Sequence, residues 1–147
     1  MDQIVADTRI ELIRSRIEPR WSDMDAIGHI NSLEYLGYMQ ECRVKWLLEM
    51  DLSYSESTPV LLNLHGEFKA ELSYPDSVDV VMYGKAPGRS SFMTEYELWS
   101  RGQANSDNNN KDNSETLCAT GYAKLVWIDI ERRLPTDLPE VIRTRLQ

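Results

Sequence analysis

The chain has 147 residues, 41% of them hydrophobic, which suits one globular domain. With 24 acidic against 16 basic residues its formal net charge is -8, which excludes general nucleic-acid binding but not a local Lys/Arg cluster that holds a nucleotide. No apolar run is long enough to span a bilayer, and the first ten residues, MDQIVADTRI, lack the apolar core of a signal peptide, so a cytoplasmic protein with no membrane partner is expected.

Met1 to Glu11 reads as a loose lead-in. Leu12 to Pro19 alternates, with Ile13, Ser15 and Ile17 on one face and Arg14, Arg16 and Glu18 on the other, the pattern of a strand with one wet face. Arg20 and Trp21 lead into an acidic knot, Ser22-Asp23-Met24-Asp25, and a small-residue turn, Ala26-Ile27-Gly28. A long helix is predicted from about Ser32 to Met50, with Asn31 and Glu34 spaced as in a capping box. Leu36, Met39, Trp46, Leu47 and Met50 form its apolar stripe, which Tyr35 and Cys42 broaden. Glu41 and Lys45 are four apart on the other side, in the favourable order.

Asp51 to Pro59 reads as a loop, and Val60 to Tyr74 as a long strand in which Gly66 marks a bulge or a close approach. Tyr74-Pro75-Asp76 is a turn. Ser77 to Ala86 and Arg89 to Arg101 form a hairpin around Pro87-Gly88. Gly102 to Ser114, GQANSDNNNKDNS, is expected to be a mobile loop, because so few apolar residues cannot offset the entropy of ordering. Glu115 to Ile130 is the last strand, and Glu140 to Gln147 a short helix. Strands in hairpin succession favour an antiparallel sheet, and the rich helical stripe predicts that the helix packs under it. Cys42 and Cys118 fall in a helical and a strand pattern, as buried free thiols do.

The stretch from Arg20 to Arg43 carries the chemistry. Carboxylates, an imidazole and a carboxamide crowd the start of a long helix, where free backbone amides and the dipole's positive pole favour charge developing on an oxygen. Spacing alone does not separate Asp25 from an ordinary acidic loop residue. Asn31 fits a helix cap as well as a substrate contact, and His29 a structural turn residue as well as an orienting group. Gly88-Arg89-Ser90-Ser91, with its cation and two hydroxyls, suits either an exposed turn or a phosphate contact, with Lys85 and Lys69 as weaker candidates. His65 lacks partners at metal-binding spacing. No zinc motif, phosphate-binding Gly-rich loop or nucleophile elbow is present, so neither metal nor cofactor is expected.

The pattern Asp23-x-Asp25-x-x-Gly28-His29-x-Asn31, followed by Tyr35 and Arg43, resembles the hot-dog fold acyl-CoA thioesterases of the 4-hydroxybenzoyl-CoA thioesterase type. Specific over Arg20 to Arg43, the match extends more weakly through the order of the later strands. Many relatives have a second Asn where this chain has Ser32. The resemblance implies an α+β hot-dog fold, one long helix wrapped by a curled antiparallel sheet of about five strands. It implies Asp25 as general base or nucleophile toward a thioester carbonyl. Ser32, by its backbone amide, is then the oxyanion donor, with Gly28, His29 and Asn31 lining the site and Asp23 bracing the loop. It implies an acyl-CoA substrate, for whose phosphates Arg89, Ser90, Ser91 and Lys85 are the candidate contacts already named. A thioester on a carrier protein, or binding without turnover, are the alternatives. A short sheet on one helix leaves a strand edge uncovered, so a homodimer or a tetramer of two dimers is expected, and the resemblance implies the same, with two sites per dimer lying between subunits.

Overall fold

A computed structural model of the chain describes residues 8–52, 54–102 and 115–147. Five strands make one antiparallel sheet: β1 (Ile10–Ile17), β2 (Ser57–Phe68), β3 (Val78–Lys85), β4 (Ser91–Ser100) and β5 (Thr116–Asp129). Their spatial order is β1-β3-β4-β5-β2. The long helix α1 (Ser32–Glu49) lies on the inner face, and a short α2 (Glu140–Arg145) closes the C-terminal end. One long helix against one curled five-stranded antiparallel sheet is the hot-dog fold.

Strand β4 shows why the sheet has an inside. Phe92, Thr94, Tyr96, Leu98 and Ser100 are buried, while the residues between them are half-exposed. From the other strands Val78, Val80, Met82, Ala119, Ala123, Leu125 and Trp127 join the same core. Opposite them α1 buries Tyr35, Tyr38, Met39, Cys42, Arg43 and Trp46. Trp46 and Trp127 both pack on Phe92, at ring-centroid distances of 5.8 and 6.2 Å. Both cysteines are buried and free, as expected.

Several details differ from the sequence expectation. The lead-in is shorter, because β1 starts at Ile10 and Arg9 already pairs with Glu95 and Glu97 at 3.3 and 3.1 Å. A register shift between Glu11 and Ile13 puts Leu12 into the core. The helix stripe is rotated toward Tyr38 and Arg43, which are buried, and leaves Leu36, Leu47 and Met50 only partly buried. Buried Arg43 is only 5% exposed; its Nη1 donates to the Tyr96 hydroxyl at 2.9 Å, and Thr94 Oγ1 lies 2.8 Å from that hydroxyl. A buried cation is tolerated when its donors find acceptors.

Strand β2 begins earlier and ends earlier than its alternation suggested. It takes in Pro59, which an edge strand allows. It stops at Phe68 because the Lys69 and Ala70 amides both converge on the Cys118 carbonyl, at 2.8 and 3.1 Å. The following segment leaves the sheet, yet Leu72 is fully buried, which explains its apolar spacing. β2 also breaks the hairpin succession: it crosses to the far edge and pairs with β5, while β1 pairs with β3. At Gly66 the close approach is the helix itself, since an added Cβ would stand 2.8 Å from Leu36 Cδ2. Residues 103–114 of the expected mobile loop lie outside the described residues.

Strand direction places the site. β1 runs from Ile10, beside Gly84, to Ile17, beside Val78. The motif loop follows at the Val78 end, and α1 runs back toward the other end. β2 ends at Phe68 beside Ala119, so residues 69–72 return to the start of α1.

Candidate active site

The motif folds into a small closed loop between β1 and α1. Arg20 leads into a 3-10 turn, Trp21–Asp23, and Met24 bridges to Ile30. The Asp25 amide donates to the His29 carbonyl at 2.9 Å, and the Gly28 amide to the Asp25 carbonyl at 3.1 Å. Gly28 has φ 94°, the left-handed region that strains other residues, which accounts for glycine at this turn. The far side is tied down as well: the Ile30 amide donates to the Leu72 carbonyl at 2.7 Å, and Asn31 to the Asp23 carbonyl at 3.0 Å.

The two aspartates of the knot have opposite environments. Asp23 is 5% exposed and takes bonds from the Arg20 amide (3.0 Å), the Arg20 guanidinium (3.3 Å) and the Tyr38 hydroxyl (2.8 Å). Burial pushes its carboxyl up, but those donors outweigh burial and hold it below the usual carboxylate value. Burial beside this carboxylate pushes the Tyr38 phenol up in turn. Asp25 is exposed. Its Oδ1 accepts from the Ile27 amide at 2.9 Å, and Oδ2 has no protein partner among the described residues. One carboxylate is therefore consumed by structure and the other is free to act.

At the helix start the Asn31 side chain accepts from the Leu33 amide at 3.1 Å, not from that of Glu34, whose amide donates to the Asn31 carbonyl at 2.8 Å. Asn31 is thus a cap, and its carboxamide oxygen is engaged. Ser32 opens α1, so its amide has no acceptor within the helix. Ser32 shares an open depression of about 260 Å³ with His29, Tyr35, Phe68, Lys69 and Glu71. His29 Nε2 lies 3.0 Å from Glu71 Oε2. Tyr35 donates to the Ala70 carbonyl at 3.2 Å, and burial pushes its phenol up to about 12. Asp25 lines a neighbouring depression of about 510 Å³ with Trp21, Met24 and Ile27. Tyr38 and Glu71 were not singled out from sequence; Tyr38 stands seven residues after Asn31 in the helix, and Glu71 lies outside the motif altogether.

The coenzyme A candidates stand elsewhere. Lys85 and the turn Gly88 to Ser91 join the ends of β3 and β4 next to Ile10, the end of β1 remote from the motif loop. β1 has 8 residues, so within the chain the two groups are separated by about 25 Å. Lys85 Nζ is 2.6 Å from Glu95 Oε2. Arg89 pairs with Asp137 at 2.8 Å, and its carbonyl accepts from Arg143 at 2.9 Å. His65 lies on edge strand β2, stacked on Tyr122 at 4.7 Å. Among the described residues no group of His, Cys, Asp and Glu is placed to hold a metal ion, and no helix is long and apolar enough to cross a membrane.

A hot-dog scaffold, with the exposed Asp25 carboxylate in the loop that leads into its long helix, is the architecture of the thioester hydrolases. Residues 19–146 match the family model of the thioesterase-like superfamily, and the chain belongs to that family. Among solved structures it is similar to the PA2801 protein of Pseudomonas aeruginosa, described as a candidate thioesterase, with 29% identity, a TM-score of 0.77 and coverage of 92% of this chain and 98% of that one. A candidate acyl-CoA thioesterase from Xanthomonas campestris is 25% identical, with a TM-score of 0.71 and coverage of 88% and 100%. A 1,4-dihydroxy-2-naphthoyl-CoA thioesterase from Synechocystis shares the fold at 20% identity, with a TM-score of 0.74 and coverage of 90% and 93%. No curated protein matches the sequence.

Proposed function

We propose that the protein is a cytoplasmic acyl-CoA thioesterase of the 4-hydroxybenzoyl-CoA type, in which Asp25 is the catalytic carboxylate. The observation that carries this reading is the contrast within the knot: Asp23 is saturated by Arg20 and Tyr38, while Asp25, in the loop that leads into α1, keeps Oδ2 free among the described residues. As general base, Asp25 takes a proton from water while the water oxygen bonds to the thioester carbon. Negative charge then develops on the former carbonyl oxygen, where the Ser32 amide and the helix dipole stabilise it. The C–S bond breaks, and coenzyme A leaves as a thiolate that takes up a proton. As nucleophile, Asp25 would instead form an acyl anhydride that water hydrolyses. His29, held against Glu71, and Asn31, held as a cap, keep the loop and helix start in register.

The active unit in this reading is a homodimer, alone or paired into a tetramer. Edge strand β2 exposes Val60, Leu61, Leu62 and Phe68 and among the described residues has no neighbour on one side, which a second copy would supply. A two-fold axis is also the means by which the Arg89 turn of one subunit would reach the Asp25 loop of the other. The exposed Arg89–Asp137 pair is weak enough to yield to a phosphate.

Release of coenzyme A from a panel of acyl-CoAs, followed by thiol detection, tests the reaction. Wild type should release thiol and Asp25→Asn should not. Turnover confined to acyl groups on a carrier protein would move the substrate class, and equal turnover by both proteins would remove Asp25 from the mechanism.

A further inference from the structure

The two depressions beside the motif loop differ in chemistry. The one that holds Ser32 is walled by His29, Lys69 and Glu71, with Tyr35 and Phe68 below. The one that holds Asp25 has no other ionisable side chain, and its large side chains are Trp21, Met24 and Ile27. Trp21 at 71% and Ile27 at 80% are the two most exposed large hydrophobic residues among those described. Isolated exposed apolar residues mean little, but two of this size in one concavity beside a free carboxylate mark a binding surface.

The loop holds them there. Trp21 opens the 3-10 turn, and its carbonyl accepts from the Met24 amide at 3.2 Å. The Ile27 amide donates to Asp25 Oδ1, which ties one side of the apolar wall to the carboxylate. A carbonyl attacked from Asp25 and stabilised at Ser32 must sit between the two depressions. Its two substituents then leave in two directions. Pantetheine carries amides and leads to phosphates, and it matches the side with Lys69, whose Nζ has no partner among the described residues. The other substituent faces the apolar side.

We infer that the acyl group of the thioester lies against Trp21, Met24 and Ile27, and that these residues select apolar acyl groups. The inference rests on the acyl-CoA reading above. The depression of about 510 Å³ falls within the size range of small-molecule sites.

The test compares kcat/KM for acetyl-, octanoyl- and benzoyl-CoA in wild type, Trp21→Ala, Ile27→Ala and Trp21→Phe. In both alanine variants the octanoyl-to-acetyl ratio should fall about tenfold or more, the scale of losing a few methylene contacts. Trp21→Phe should recover most of it. An unchanged ratio in both alanine variants, with wild-type circular dichroism, overturns the inference. If those variants also dissociate, the face is a subunit contact instead. A second measurement does not need turnover. S-octyl-CoA, a thioether that cannot be hydrolysed, should shift tryptophan emission to shorter wavelength more than coenzyme A does in wild type, because it covers the exposed Trp21 ring, and the difference should vanish in Trp21→Phe. Absence of that difference in wild type also overturns the inference. A normal difference with no hydrolysis of any acyl-CoA would instead sink the catalytic reading and leave the acyl placement standing.

Discussion

Tyr38 of α1 donates a hydrogen bond of 2.8 Å to Asp23 of the motif loop, fifteen residues earlier in the chain. That bond fastens the loop carrying Asp25 to the helix that Ser32 opens. The two parts of the proposed site are thereby tied to each other, as preorganisation requires.

The first prediction follows from this bond. Tyr38→Phe keeps the ring packed and removes one donor to a buried carboxylate. Stability at neutral pH should fall by about 1.5–3 kcal/mol, the usual worth of a hydrogen bond to a charged group. The pH dependence has a definite sign. The folded value of Asp23 is depressed, so its contribution is present above the ordinary carboxylate value of 3.8 and is lost as pH falls through the folded one. With one donor fewer the folded value rises, and acid unfolding should begin at higher pH. Urea titrations at pH 7 and pH 3 on both proteins check this; an identical acid limb would show that Arg20 alone sets the state of Asp23.

Exchanging the two aspartates of the knot separates chemistry from scaffolding. Asp25→Asn should lower kcat by about 10²–10⁴-fold, the range for a positioned general base, or further if Asp25 is the nucleophile. Its melting temperature should hardly move, because the side chain is exposed. Asp23→Asn should lower the melting temperature, because it leaves the Arg20 and Tyr38 donors facing a neutral amide. Thermal melts and initial rates on both variants decide the roles; the reverse pattern would exchange them.

Strand β2 supplies a test of assembly. Leu62 is 63% exposed on an unpaired edge and sits at the register shift between Leu61 and Asn63. Leu62→Glu should therefore cost the isolated fold little, and it should shift sedimentation from dimer toward monomer. A variant that sediments as wild type would place the dimer contact elsewhere.

The proposed sharing of sites between subunits makes a sharper prediction. Asp25→Asn and Arg89→Ala should each be impaired, the second chiefly in KM. In a mixed dimer built from both, one site carries both lesions and the other carries none. Refolding the two variants together should restore wild-type KM at a fraction of wild-type kcat. Failure to complement would confine each site to one chain and remove Arg89 from it.

A packing prediction concerns Gly121 on β5. An added Cβ would stand 2.6 Å from the His65 carbonyl oxygen and 2.8 Å from Met39 Sδ. The first contact is backbone and cannot rotate away. Gly121→Ala should destabilise by at least about 2 kcal/mol, as overpacking does, measured by denaturant unfolding.

Much of this was local and therefore legible in the sequence. Alternation in β4 and β5, the helix from Ser32, the capping position of Asn31 and the knot with Asp23 and Asp25 all express preferences that short stretches carry by themselves. Residues 69–72 misled because burial, and not strand pairing, set their apolar spacing: Leu72 fills the core from a segment outside the sheet. Arg20 and Ile27 are local partners of Asp23 and Asp25, but the third bond to Asp23 was decided in three dimensions. Local preference alone leaves two aspartates two residues apart equivalent. The packing of Tyr38 beneath the loop completes the shell of one and leaves the other open. The separation of the Arg89 turn from the motif loop was likewise set by strand direction, since β1 carries the chain from one end of the sheet to the other. Hydrophobic period and turn chemistry act over a few residues and determine the elements. Which side chains meet depends on how those elements stack, and no local preference encodes that.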